Sequence, residues 1–138
     1  MKTILVDAVN TTIIKGASGN FVKFKELFEL LECYPNTKLI VTNANDEQII
    51  EFGLNDVPYQ VFTMKHNPDK PDPRYFKILL EEYNLLPSDV LYFEHNPDAV
   101  VSARSLGIAT FHYDKDTKDV LGLKEFLDEG CGEEMIKA

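Results

Sequence analysis

Short apolar runs that end on a polar residue alternate with stretches of helical spacing along the whole chain. Residues 3–7 (TILVD) form the first run, rich in branched side chains and closed by Asp7. In residues 21–33, Phe24, Leu27, Phe28, Leu30 and Leu31 recur at helical spacing, with Asn20 placed to cap the helix and Pro35-Asn36 ending the unit. Residues 38–42 (KLIVT) read as a second strand, and residues 45–52 as a short helix closed by Gly53. A third strand is predicted over residues 59–63 (YQVFT), followed at 64–73 (MKHNPDKPDP) by a segment whose prolines break any ladder. A helix over 73–84 turns Phe76, Leu79, Leu80 and Tyr83 inward, and residues 89–94 (DVLYFE) form a fourth strand. Asn96-Pro97 reads as a cap followed by proline at the first helical position, Gly107 ends that helix, and residues 108–113 form a fifth strand. A last helix covers about 117–128, and the tail after Gly130 is expected to fray.

Strands alternating with helices in this way predict an α/β fold around a parallel sheet. With no linker and no repeat, residues 1–130 read as one domain and 131–138 as a tail. In an open parallel sheet the ligand crevice lies beyond the carboxyl ends of the strands, where the strand order reverses. The polar strand ends Asp7, Thr42 and Glu94 therefore face one crevice.

Composition narrows the function. The chain carries 14 Lys and Arg against 23 Asp and Glu, a net charge of −9. With its basic residues dispersed, it is a poor match for a phosphate backbone, so nucleic acid is not expected as a partner. A phosphate ester held through a metal ion stays open, because the ion supplies the missing positive charge. Cys33 and Cys131 are the two cysteines and form no CxxC, which argues against a zinc ribbon or a disulfide scaffold. No apolar run is long enough to span a bilayer, and no targeting segment is recognisable, so a cytoplasmic protein without membrane partners is expected.

The strand ends carry four short motifs in order. Asp7-Ala8-Val9-Asn10-Thr11 follows the first strand, and Thr42 closes the second. Lys70-Pro71-Asp72-Pro73 precedes a helix, and Glu94 and Asp98 lie in FEHNPD after the fourth strand. This series resembles the signature of the haloacid dehalogenase-like (HAD) superfamily and covers nearly the whole chain. The resemblance implies a Rossmann-like three-layer α/β/α sandwich of about five parallel strands. It also implies phosphoryl transfer through an aspartyl-phosphate. In that scheme Asp7 is the nucleophile. Mg²⁺ is held by Asp7, the backbone carbonyl of Val9, Glu94 and Asp98. Thr42, Asn43 and Lys70 bind phosphate, with Lys70 stabilising the charge of the transition state. The substrate class is a phosphorylated small molecule or protein.

The sequence departs from the family pattern in several places. Phosphatases of the family carry a second Asp two residues after the nucleophile, as acid and then base, and Val9 stands there instead. Losing such a group typically costs about 10²–10⁴-fold in rate. Asn10 replaces the usual Gly, and Phe93-Glu94 replaces Gly-Asp, with the bulk of Phe93 expected to narrow the loop. The segments between the motifs are too short for a cap domain, which ranks dehalogenation low. His95 and His66 are candidate acid–base substitutes, although the spacing points His95 away from Glu94 and makes His66 an exposed loop residue. His112 reads as structural, and Asp114 is a further candidate at the end of the fifth strand. Two readings follow: a slow Mg²⁺-dependent phosphatase or phosphotransferase, or a silent module that binds Mg²⁺ and phosphate or a partner protein.

Overall fold

The computed structural model describes residues 1–132 in full and the backbone of residues 133–137. Five strands form the main sheet: β1 (Thr3–Asp7), β4 (Lys38–Thr42), β5 (Gln60–Thr63), β6 (Val90–Glu94) and β7 (Ala109–His112). All neighbours pair in parallel, in the spatial order β5-β4-β1-β6-β7. The chain builds outward from β1 to one side and then returns to build the other. The order thus reverses around β1, and its carboxyl end is the switch point.

Strand alternation divides the core between the two faces of the sheet. Ile4 and Val6 of β1 and Leu91 and Phe93 of β6 pack with Leu27 and Leu31 of α1 (Lys25–Glu32) and Leu123 and Leu127 of α5 (Val120–Lys137). Leu5, Val90 and Tyr92 face the other way. They meet Phe76 and Leu79 of α3 (Arg74–Glu82) and Ala103 of α4 (Pro97–Ser105). Ile49, on the short helix α2 (Asp46–Glu51), joins the first cluster. The expected three layers and five parallel strands are present, and among the described residues no cap domain is inserted. No helix among them is long and apolar enough to cross a membrane.

The segment predicted as one helix over 21–33 is divided. Phe21–Lys23 is a strand, β3, paired antiparallel with β2 (Ile13–Lys15), and α1 begins only at Lys25. The turn between β2 and β3 contains Gly19 at φ +85°, a conformation that costs glycine little. Asn20 therefore belongs to the hairpin, where its carbonyl accepts from the Gly16 amide at 2.7 Å, and Phe24 precedes the helix without a side-chain cap. The last helix starts at Val120 rather than 117 and continues beyond 128, with Cys131 buried against the core. The expected fraying of the tail falls largely on residues whose side chains lie outside the described set.

Local chemistry sets the other boundaries as anticipated. Asn45 and Gln48 form a reciprocal capping box at the start of α2, and Asn96 accepts from the Asp98 amide at the start of α4. Asn10 takes φ 67°, which explains why this position favours glycine and why asparagine is an acceptable replacement. Phe93 is fully buried in the first cluster, so it does not narrow the loop after β6.

Candidate active site

β1 delivers Asp7 to the centre of the crevice, where its side chain is 2% exposed. Four donors hold the carboxylate. Lys70 Nζ donates to Oδ1 at 2.7 Å, while Oδ2 receives Thr11 Oγ1 at 2.7 Å, the His95 amide at 3.1 Å and faces His95 Nδ1 at 2.5 Å. The Thr12 hydroxyl secures the turn below by donating to the Asp7 carbonyl at 2.7 Å.

Lys70 comes from the irregular segment between β5 and α3. Its amide donates to Asn43 Oδ1 at 2.7 Å, which ties that loop to the end of β4. Its ammonium, nearly enclosed, donates to Asp7 Oδ1 and Glu94 Oε1 at 2.7 Å each. Glu94 sits at the end of β6 with its side chain fully buried. Tyr92, two residues back on the same face of the strand, donates its hydroxyl to Oε1, and the Asn96 amide donates to Oε2 at 3.0 Å. Tyr75 of α3 places its hydroxyl within reach of the carbonyls of Thr42 (2.8 Å) and Phe62 (3.2 Å), bracing the ends of β4 and β5.

These contacts set the ionisation of the cluster. Burial alone would raise the Asp7 pKa, but the Lys70 ammonium and the His95 ring outweigh it and hold the carboxyl far below the usual range. Burial and the neighbouring Asp7 charge push Glu94 up to about 7, despite Lys70. Burial would lower Lys70, yet the Asp7 and Glu94 charges raise it, so the ammonium persists. Burial likewise works against the His95 cation, and its bond to Asp7 prevails and raises its pKa. Burial, then the charge of Glu94, keeps the Tyr92 hydroxyl protonated well beyond its ordinary range.

A pocket of about 150 Å³ opens over this cluster, lined by Asp7, Val9, Lys70, Glu94 and His95 together with His66 and Gln48. Thr42 and Asn43 line it too. Thr42 Oγ1 accepts from the Ala44 amide at 3.2 Å, and Asn43 serves through its bond to the Lys70 amide. Of the residues singled out in the sequence, the structure brings together Asp7, Val9, Thr42, Asn43, Lys70, Glu94, His66 and His95.

Two residues stand apart. Asp98 is exposed on the first turn of α4 and does not line the pocket, because the Asn96 cap starts the helix and turns this side chain outward. Asp114 is also exposed, and its carboxylate accepts the amides of Asp116 and Thr117 in a local turn. His95 is the reverse case. Expected to point away from Glu94, its Nδ1 lies 3.3 Å from Glu94 Oε2 as well as against Asp7. His66 is an exposed loop residue, as the sequence suggested, yet its ring lies between Asp69 Oδ1 at 2.8 Å and Gln48 Oε1 at 2.6 Å and lines the pocket. His112, on β7, places Nε2 3.0 Å from the His95 carbonyl. Thr11 and Tyr92 were not foreseen as partners of the carboxylates. The shared face of Tyr92 and Glu94 was the available signal for one of them.

The donor chemistry fits a divalent cation. Asp7, Glu94 and His95 each present one ligand atom within 4.8 Å of the other two, and Val9 lines the same pocket. Two buried carboxylates supply charge, and the surrounding amides and hydroxyls orient them as outer partners do in metal sites.

No protein-family model matches the chain, and no curated protein matches it in sequence. Solved structures do match. A HAD-family enzyme from Bacteroides thetaiotaomicron, in a variant complexed with magnesium and inorganic phosphate, superposes with a TM-score of 0.68 at 14% identity, covering 83% of this chain and 95% of that one. An uncharacterised protein from Corynebacterium glutamicum gives 0.59 at 16% identity, covering 91% and 94%. A HAD-superfamily hydrolase of subfamily IA from Geobacter sulfurreducens gives 0.53 at 20% identity, covering 67% of this chain and 47% of its own length. With its strand order, its switch-point carboxylate and these neighbours, the chain has the haloacid dehalogenase-like fold.

Proposed function

We propose that the chain is a HAD-type phosphatase or phosphotransferase acting on a phosphomonoester or acyl phosphate through an aspartyl-phosphate at Asp7. The observation that carries this reading is the carboxylate of Asp7, fixed at the switch point with Lys70 Nζ 2.7 Å from Oδ1. Oδ2 is occupied by Thr11 and His95, so Oδ1 is the oxygen better placed to attack. Its lone pair forms the new bond to phosphorus as the bond to the leaving oxygen breaks, and the leaving oxygen takes a proton or departs as an anion. Water then attacks the phosphorus, releasing phosphate and regenerating the carboxylate. Lys70 stays charged throughout and offsets the charge that develops on the phosphoryl oxygens. Asp7, Glu94 and the Val9 carbonyl are the oxygen donors for a divalent cation, Mg²⁺ by the family resemblance, which supplies charge neutralisation when bound.

Val9 supplies no carboxylate to serve the leaving group at the position where the family resemblance expects one. An acyl phosphate, whose leaving group is already a stable anion, is the substrate class that suffers least. The test is incubation with Mg²⁺ and acetyl phosphate, reading intact mass and free phosphate, with Asp7→Asn as control. Release of phosphate that depends on Asp7 supports the reading, and absence of both adduct and release with any divalent ion overturns it.

A second reading has its own support. Asp7 and Glu94 are the carboxylates that line the pocket, and both are engaged with Lys70. A chain with this site and no acid–base group would bind phosphate, or hold it on Asp7, as a binding module. A stable adduct without release distinguishes it.

A further inference from the structure

We infer that His95 is a metal ligand, and that with Asp7 and Glu94 it forms a mixed oxygen and nitrogen site selecting Zn²⁺ or Co²⁺ over Mg²⁺. The inference deepens the proposed function, resting on it only for what the ion does there.

Position and chemistry both point to it. The two carboxylates each give one oxygen to Lys70, and their other oxygens, Asp7 Oδ2 and Glu94 Oε2, accept from Thr11 and the His95 amide and from the Asn96 amide respectively. His95 Nδ1 faces that pair, at 2.5 Å from the first and 3.3 Å from the second. The carboxylates are buried, the ring is 20% exposed, and all three residues line the same pocket. An ion in the pocket therefore meets the ring nitrogen together with the two carboxylates.

The His95 backbone is tied down on both sides. Its amide donates to Asp7 Oδ2, and its carbonyl faces His112 Nε2 at 3.0 Å. The Asn96 amide holds Glu94 Oε2, and Thr11 holds Asp7 Oδ2. Ligands oriented in this way by outer hydrogen bonds are characteristic of metal sites. The oxygen donor that the sequence suggested for this position, Asp98, is exposed on α4 and does not line the pocket.

Mg²⁺ prefers an all-oxygen octahedron and gives up its waters reluctantly. Imidazole nitrogen suits Zn²⁺ and the later first-row ions, which also bind N/O sites more tightly in general. Exchanging a carboxylate donor for imidazole also removes one negative charge, which weakens a hard ion most.

The test is equilibrium binding to the metal-stripped full chain by calorimetry, with MgCl₂, CoCl₂ and ZnCl₂ in turn, alongside the visible spectrum of the Co²⁺ complex. The expected result is one equivalent of Co²⁺ or Zn²⁺ bound at least about tenfold more tightly than Mg²⁺. His95→Asp should shift the preference toward Mg²⁺, and His95→Ala should weaken Co²⁺ and alter its spectrum. Glu94→Gln should weaken all three ions, which separates this site from adventitious binding at cysteines or at His66. Equal affinity of the unaltered chain for Mg²⁺ and Co²⁺ overturns the inference without any variant, as does a Co²⁺ spectrum indifferent to His95→Ala. The acetyl phosphate adduct is read separately by mass. Failure there with Co²⁺ preference intact counts against the phosphoryl-transfer reading alone, and an adduct without that preference counts against this inference alone.

Discussion

Lys70 Nζ lies 2.7 Å from Asp7 Oδ1 and 2.7 Å from Glu94 Oε1, so one buried ammonium serves two buried carboxylates on adjacent strands. Lys70→Ala would leave both carboxylates without their cation. Breaking a buried pair from one side typically costs about 3–5 kcal/mol, because the remaining charge stays desolvated. Urea denaturation should show a loss of that order. Adding Glu94→Gln should restore part of it by removing one of the uncompensated charges. A Lys70→Ala chain as stable as the parent would mean that the carboxylates are solvated or protonated at no cost.

The ionisation pattern predicts how the metal-free chain responds to pH. Glu94 rises from 4.5 to about 7 on folding, so its contribution is complete below 4.5 and is lost as pH climbs through 7. His95 is raised above 6.5 and contributes in the same direction, with its stabilisation lost above that range. Asp7 is lowered from 3.8, so its contribution is present above 3.8 and is lost only on further acidification. The metal-free chain should therefore be most stable at about pH 4–6 and weaken toward pH 8, with Glu94 contributing at most about 3 kcal/mol. Glu94→Gln should flatten that decline in a series of thermal melts. Stability that rises from pH 5 to pH 8 would contradict the raised Glu94 and His95.

Asn43 receives the Lys70 amide at 2.7 Å and joins the end of β4 to the loop that carries the ammonium. Asn43→Ala removes the acceptor, at a cost of about 1 kcal/mol for a bond of this kind. The larger effect should be on the site, since Lys70 loses the anchor for its backbone. Adduct formation at Asp7 should slow while the melting temperature falls by only a few degrees. Unchanged adduct formation would mean that the two carboxylates position Lys70 unaided.

The main sheet was legible because a buried parallel strand is a nearly continuous apolar run, and all five runs end within a residue or so of the observed strands. The hairpin was not legible. β2 and β3 have three residues each, too few for alternation to register, and Phe24 and Leu27 beyond them extended a convincing helical pattern. In the site, Asp7, Lys70 and Glu94 were readable from strand ends and motif order. His95 was not, because its direction depends on how the chain bends after β6, where the Asn96 amide caps Glu94 and the His95 amide turns onto Asp7. The same bend starts α4 and sends Asp98 to the surface, so one local geometry reversed both expectations.

Val9 offers the sharpest test of how the site handles protons. It lines the pocket, half-buried, two residues beyond Asp7, the position at which the family resemblance expects an acid–base carboxylate. If nothing else supplies that proton, Val9→Asp should accelerate Asp7-dependent phosphate release by about 10²–10⁴-fold, the usual worth of general acid–base catalysis. The gain should be greatest for a phosphomonoester, whose alkoxide leaving group needs protonation, and smallest for acetyl phosphate. If His66, on the pocket wall, already does this work, the substitution will change little, and replacing His66 in the parent chain will abolish release from the monoester while sparing acetyl phosphate. Comparing the two substrates in the Val9→Asp and His66→Ala chains therefore separates a lost acid–base group from a replaced one.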